Sequence, residues 1–279
     1  MKKVIVLLLA AVLLLSVIGC KKAENKKLTV AMSPDFAPME FVDTSKTGQE
    51  QYVGFDVTLA NFLADELGME LEIKPMSFDA CMTAVQLGSV DMAISGFSWK
   101  PDRAENFLLS DYYIAGDNET QQSVITVKAK ENTCKTQADF SGWKVGAQAS
   151  SLQEQLVKDE LIPAGAELVV YKSIDDAVLA LQTGKIDALA VAHGNGEAII
   201  ANNPDLAFTG FDFDVDPKYE NNVILLNKSN TEMLEKVNKV LAKAMAAGVY
   251  DGWYEDAKAL AGIPTAADVS YDDDGKPVS

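Results

Sequence analysis

Residues 78–94 read F-D-A-C-M-T-A-V-Q-L-G-S-V-D-M-A-I, and residues 174–190 read I-D-D-A-V-L-A-L-Q-T-G-K-I-D-A-L-A. Gln86, Gly88 and Asp91 recur as Gln182, Gly184 and Asp187 at a constant offset of 96 residues. In each stretch an apolar pattern of helical period stops at a glycine, and an apolar run short enough for a buried strand follows. Any helix-to-strand corner favours glycine, but three matched positions inside a matched apolar pattern indicate a duplicated unit. Duplication restricts the chain to two lobes, each of β-α-β-α-β order.

The surrounding elements fill in both units. The first opens with a strand over 28–32 and a loop in which Pro34 and Pro38 flank Phe36. A polar turn over 43–51 leads to an amphipathic helix over 54–67, ended by Gly68, and a strand over 69–73. The second unit has a strand over 143–147, a small-residue turn over 149–151, a helix over 151–160 and a strand over 167–171. Strands at 123–127 and 223–226 flank this unit and are expected to form a two-stranded hinge, as closure around a ligand requires. A helix over 231–247 breaks at Gly248 and continues over 249–260, packing back on the first lobe. Lobe 1 is thus 28–122 with 223–262, lobe 2 is 123–222, and 263–279 is a polar tail expected to be disordered.

The stretch 90–103, V-D-M-A-I-S-G-F-S-W-K-P-D-R, combines a strand end, a small-residue turn and a helix start. Pro101 suits the first helical position, which needs no N–H, and places Arg103 in the first turn. Ligands of open α/β sheets bind beyond the carboxyl ends of the strands, and a guanidinium there can grip a carboxylate with two parallel hydrogen bonds. The alternative is an ordinary surface arginine. The echo makes residues 191–194 the second-lobe counterpart of 95–98, and sets Gln148 and Ser150 opposite Ser33, so four loops face one cleft.

A formal net charge of −17 over 279 residues disfavours a nucleic-acid partner, which needs a basic surface. The single histidine, His193, and the lack of a spaced Cys/His cluster argue against a metal site, and no cofactor is expected. Cys81, in an apolar helical pattern, and Cys134, in a polar loop, are read as free thiols, Cys81 as a buried small hydrophobe. At the N-terminus Lys2 and Lys3 precede an apolar run over 4–18, and V-I-G-C ends at Cys20 before Lys21 and Lys22. This is a signal peptide, 1–19, rather than a membrane span, followed by a polar tether over 20–27. The V-I-G-C run resembles the bacterial lipoprotein box, in which the cysteine carries lipid. That implies an extracytoplasmic, membrane-anchored protein; the other reading is a secretory leader with Cys20 incidental.

Several motifs in order resemble the bacterial extracellular solute-binding proteins, family 3, of polar amino-acid ABC transporters. They are Gly54-Phe55-Asp56-Val57 with Leu59-Ala60, Ser95-Gly96-Phe97-Ser98 through Arg103, Leu109-Ser110-Asp111-Tyr112-Tyr113, and the stretches 145–153 and 186–191. The resemblance covers roughly 28–260. It implies a type II periplasmic-binding fold, an α/β architecture of two lobes joined by two hinge strands. It also implies a small-molecule ligand, an amino acid or small carboxylate, handed to an ABC permease. Carried over, Phe36 and Phe78 are aromatic walls. Main-chain groups of Ser95 and Gly96, the Ser98 hydroxyl and Arg103 hold the α-carboxylate, and Gln148, Ser150 and Ser151 close the clamp from lobe 2. Phe36 and Phe78 also read as core, and Ser150 and Ser151 as a helix cap. The resemblance implies acids for the ligand ammonium at two places where this chain has Ser33 and Ala192. Asp35 is the substitute nearest in sequence, His193 is a contact or a satisfied loop residue, and Trp99 lines the pocket or packs on the surface. Without an anion a buried ammonium is costly, so a ligand lacking one is the alternative.

Two other classes stay open. An enzyme of this fold, such as a small-molecule lyase, needs a positioned acid or base, for which Asp35, His193 and Glu197 are the candidates. A sensory role has no membrane helix or signalling domain in this sequence, which leaves presentation of a ligand to a separate sensor.

Overall fold

The computed structural model describes residues 26–113, 121–219 and 221–265, together with the backbone of 270–271 and 277–278. The leader, Cys20 and most of the tether lie outside the described residues.

Two five-stranded sheets form the two lobes. In the first, Lys27–Met32 lies between Glu70–Pro75 and Met92–Ala93, parallel to both, and the antiparallel strands Leu225–Leu226 and Leu108–Leu109 complete the sheet. In the second, Lys144–Gln148 lies between Glu167–Tyr171 and Ala188–Ala192, again parallel, followed by antiparallel Gln122–Val127 and Leu206–Asp212. The same order of strand types recurs, as a duplicated unit requires.

The echo holds at the level of single hydrogen bonds. Helices Phe78–Gln86 and Ile174–Gln182 have the same length, nine residues, and Gly88 and Gly184 lie at φ 67° and 71° in the left-handed region. Asp91 accepts the Thr29 N–H at 2.8 Å, and Asp187 accepts the Lys144 N–H at 3.0 Å. Each aspartate thus ties the approach to one strand to the start of its parallel neighbour.

Apolar faces pack as the sequence periods dictate. Phe55–Leu67 buries Phe55, Leu59, Ala60 and Leu63 against the first sheet, with Thr231–Ala247 and Tyr250–Ala261 adding Leu241, Ala244 and Tyr254. Gly68, Gly248 and Gly262 end these helices in the left-handed conformation. Phe36 packs against the cores of both lobes, and Ala198 of lobe 2 packs with Ala261 and Ile263, so the lobes are in contact.

Several expectations are corrected. The strands expected at the lobe crossings also belong to the lobe sheets: Gln122–Val127 lies inside the second and Leu225–Leu226 inside the first. The helix His193–Asn202 and the strand Leu206–Asp212 were not anticipated, because His193-Gly194-Asn195-Gly196 reads as a loop. The helix expected over 151–160 is α-helical only over Leu152–Leu156 and widens to π winding over Val157–Leu161. Cys134 sits in a loop but is buried in the lobe 2 core, and both it and Cys81 are free thiols. In the tail, Ser270–Tyr271 pairs with Pro277–Val278, where no regular structure was expected.

Candidate functional site

The sole arginine of the sequence, Arg103, is 2% exposed at the floor of the inter-lobe cleft. Pro101 opens its helix, Pro101–Asn106, as the sequence predicts. The guanidinium lies over the rings of Phe78 and Phe97, 5.5 and 5.3 Å from their centroids. Nη1 donates to the Ser98 carbonyl at 2.5 Å, and Nη2 crosses to lobe 2 and donates to the Ser150 carbonyl at 3.0 Å. Nε is buried without a partner. No described carboxylate pairs with this cation. Burial pushes the guanidinium down to about 10, against a smaller upward effect of Asp102, so it stays charged at neutral pH.

Of the expected residues, Phe36, Phe78, Ser95, Gly96, Ser98, Arg103, Gln148, Ser151 and Ala192 line one cleft. Gly96 has a conformational reason to be glycine: at φ 56° a Cβ would lie 2.7 Å from the Phe36 ring. Sequence reasoning did not single out Leu152, Gln153, Ile174, Leu189, Ala190 and Asn195, which complete the lobe 2 wall with Val191, a residue the echo placed at the cleft. Their apolar or amide character carries no chemical signal on its own.

Four expected residues do not line the cleft. Ser33 lies behind it: its N–H donates to Ser95 Oγ at 3.0 Å and its hydroxyl to Asp35 at 2.9 Å. Ser150, in the left-handed region at φ 65°, gives its carbonyl to Arg103 and its N–H to Glu154. His193 turns away. Its Nδ1–H donates to Ser123 Oγ, 2.8 Å away, because that hydroxyl spends its own proton on Asp212 at 2.6 Å. Its ring stacks on Phe208 at 4.5 Å between centroids.

Asp35 is a cross-lobe latch. Its carboxylate accepts the Ile174 N–H, the first of a lobe 2 helix, at 2.8 Å, and Gln148 Nε2 lies 3.4 Å from both oxygens. Burial raises its pKa, and the Ile174 N–H and the Ser33 hydroxyl oppose that shift. Asn195 Nδ2 adds a second lobe-to-lobe bond, to the Ala37 carbonyl at 2.8 Å. Asp35→Ala is expected to weaken ligand binding at least about tenfold, since one charge-assisted hydrogen bond is worth roughly 1.5–3 kcal/mol and each 1.4 kcal/mol is tenfold, and to enlarge the radius of gyration of the liganded protein in small-angle scattering.

The Ser95-Gly96 turn is gripped from behind. Ser95 Oγ donates to buried Glu40, and the Gly96 N–H donates to buried Asp56 at 2.8 Å. Tyr113 Oη also donates to Asp56, at 3.1 Å. The expectation that main-chain groups of Gly96 hold a ligand carboxylate is therefore corrected for its N–H, which is already engaged. Glu40 Oε2 and Asp56 Oδ1, one oxygen from each acid, are buried without a hydrogen-bond partner, and a proton shared between the two acids is the arrangement expected to satisfy both. Burial raises both acids, Glu40 well above the carboxylate range and Asp56 to about 7. Trp99 packs beside Tyr219 at 6.3 Å between centroids, outside the cleft.

Two α/β lobes that meet over a buried cation with no paired carboxylate among the described residues define a cleft-type solute-binding protein of the type II periplasmic architecture. The chain belongs to the bacterial extracellular solute-binding proteins, family 3, whose model matches residues 28–256. It is 29% identical over 247 residues to the arginine-binding extracellular protein ArtP of Bacillus subtilis, covering 86% of this chain and 92% of the relative. It is 28% identical over 271 residues to a probable histidine-binding protein of Campylobacter jejuni, covering 90% and 96%. Among solved structures, the amino acid ABC transporter substrate-binding protein AbpA of Streptococcus pneumoniae, bound to L-arginine, superposes with a TM-score of 0.77. That pair is 35% identical and covers 86% of this chain and 97% of the other.

Proposed function

We propose that this chain captures an amino acid or related small carboxylate between its lobes and delivers it to a membrane ABC permease, held at the extracytoplasmic face of the cell membrane by lipid on Cys20. The observation that carries the reading is Arg103. A buried guanidinium without a counter-ion costs several kcal/mol, roughly, and a ligand carboxylate removes that cost. The relatives named above bind amino acids by their own descriptions, which supports the ligand class. Phe36 and Phe78 serve as apolar walls, Ser98, Gln148 and Ser151 as polar contacts, and the Asp35 latch holds the lobes together over the ligand. The relatives are binding proteins rather than enzymes, and the acid–base candidates Asp35, His193 and Glu197 are not among the cleft-lining residues. Only the lipid depends on Cys20, so Cys20→Ser is expected to release the protein into the medium with its binding unchanged.

A thermal-shift panel tests the ligand class. Saturation at 100 times Kd adds about 2.7 kcal/mol to stability. For a protein of this size that raises the melting temperature by roughly 5–10 °C. Small carboxylates are expected to give this shift, and amines of the same carbon skeleton lacking the carboxylate are expected to give none. Equal shifts from both would overturn the reading.

A further inference from the structure

We infer that the ligand carries no cationic group: the site takes a carboxylate whose other polar end is neutral, as in an N-acylated amino acid or a 2-hydroxy acid, rather than a free amino acid. The inference rests on the proposal that Arg103 holds a carboxylate. It follows from the balance of charge in the cleft. Arg103 is positive, and no described residue lining the cleft is an aspartate or glutamate. The carboxylates nearby are engaged elsewhere. Asp35 holds Ile174, Ser33 and Gln148. Glu40 and Asp56 hold Ser95, Gly96 and Tyr113 behind the turn. Glu154 holds Lys158 at 2.6 Å and the Ser150 N–H. An ammonium drawn into this cleft would lose its water, face the guanidinium and meet no free anion among the described residues, and burial of a charge on those terms is heavily penalised.

A second observation points to what replaces the ammonium. Asn195 lines the cleft and is 1% exposed. Its Nδ2 must face the Ala37 carbonyl, which can only accept, and this fixes the amide orientation. Oδ1 is then left as a buried acceptor without a partner. A neutral N–H or O–H on the ligand satisfies that acceptor without bringing a charge. Leu152, Leu189 and Val191 offer an apolar wall to the remainder.

Ala192 is the position that sets this preference. It ends the strand Ala188–Ala192, lines the cleft, is 2% exposed and stands as the N-cap of His193–Asn202 with no side-chain cap. Aspartate is a favoured N-cap residue, so Ala192→Asp suits the fold while placing an anion in the cleft.

The test is calorimetry on the purified protein with each of the common L-amino acids, its N-acetyl derivative and its 2-hydroxy acid. The expected result is that the tightest ligand is an N-acetyl or 2-hydroxy compound, binding at least about tenfold more tightly than its free amino acid. Ala192→Asp is expected to move that ratio at least about tenfold towards the free amino acid. A free amino acid binding wild type as tightly as, or more tightly than, both its neutral counterparts overturns this inference and leaves the carboxylate reading standing. Binding that survives unchanged in Arg103→Met, or no binding of any carboxylate, overturns both. The wild-type comparison decides even if the Ala192 variant folds poorly.

Discussion

Arg103→Met is expected to lower affinity for the carboxylate ligand by at least about 100-fold, because two charge-assisted hydrogen bonds at roughly 1.5–3 kcal/mol each are lost and each 1.4 kcal/mol is tenfold. The stability of the unliganded protein should respond far less. Removing the guanidinium strips the Ser98 and Ser150 carbonyls of a donor, but it also removes a buried charge that no described carboxylate pairs with. Methionine fits the slot between Phe78 and Phe97, where its sulfur makes favourable ring contacts. Arg103→Lys keeps the charge but not the planar fork, and should fall between wild type and Met. Calorimetry gives the affinities and thermal unfolding the stabilities. Ligand affinity within tenfold of wild type in Arg103→Met would remove Arg103 from the site.

The second large effect concerns Glu40 and Asp56. Both are raised above their ordinary values, so the folded protein binds more protons than the unfolded chain between about pH 4 and 7. The stability tied to this pair is therefore fully present at about pH 4 and is lost as pH rises through about 7. Glu40→Gln imitates the protonated acid: its amide N–H takes the place of the shared proton and its carbonyl still accepts from Ser95. Denaturant titrations should find it as stable as wild type at pH 5 and more stable at pH 8. Glu40→Ala should be less stable than Glu40→Gln by about 1–3 kcal/mol, since it leaves the buried Ser95 hydroxyl without its acceptor, while Asp56 keeps the Gly96 N–H and the Tyr113 hydroxyl. A Glu40→Gln variant less stable than wild type at pH 8 would contradict the shared proton.

Much of the fold was legible because the signals are local or repeated. The glycine stops after Gln86 and Gln182, and Pro101 at the head of its helix, each act within a few residues, and the 96-residue echo supplied the second sheet from the first. What escaped depends on long-range partners. Residues 193–196 look like a loop in isolation, yet they start a helix because the His193 N–H is taken by the Gln121 carbonyl and Gly196 lets the Phe208 ring approach. The site divides in the same way. Arg103 was visible from its place beyond a strand end, whereas Phe36 and Phe78 were reached as walls only through the family resemblance. The latch role of Asp35 was not visible, because its partner Ile174 is 139 residues away. Nor was the commitment of the Gly96 N–H to Asp56, 40 residues earlier, which changes Ser95-Gly96 from a simple ligand cradle into a turn braced from behind.

Because the sequence holds one arginine, the Nε–Hε group of Arg103 gives a single resonance in a nitrogen–proton correlation spectrum of the labelled protein. This donor is buried without a partner, so a ligand carboxylate that pairs with the guanidinium should move it downfield. The shift should saturate with the dissociation constant measured by calorimetry and be absent with the matching amine. A resonance that stays in place while calorimetry reports saturation would contradict a ligand held by Arg103.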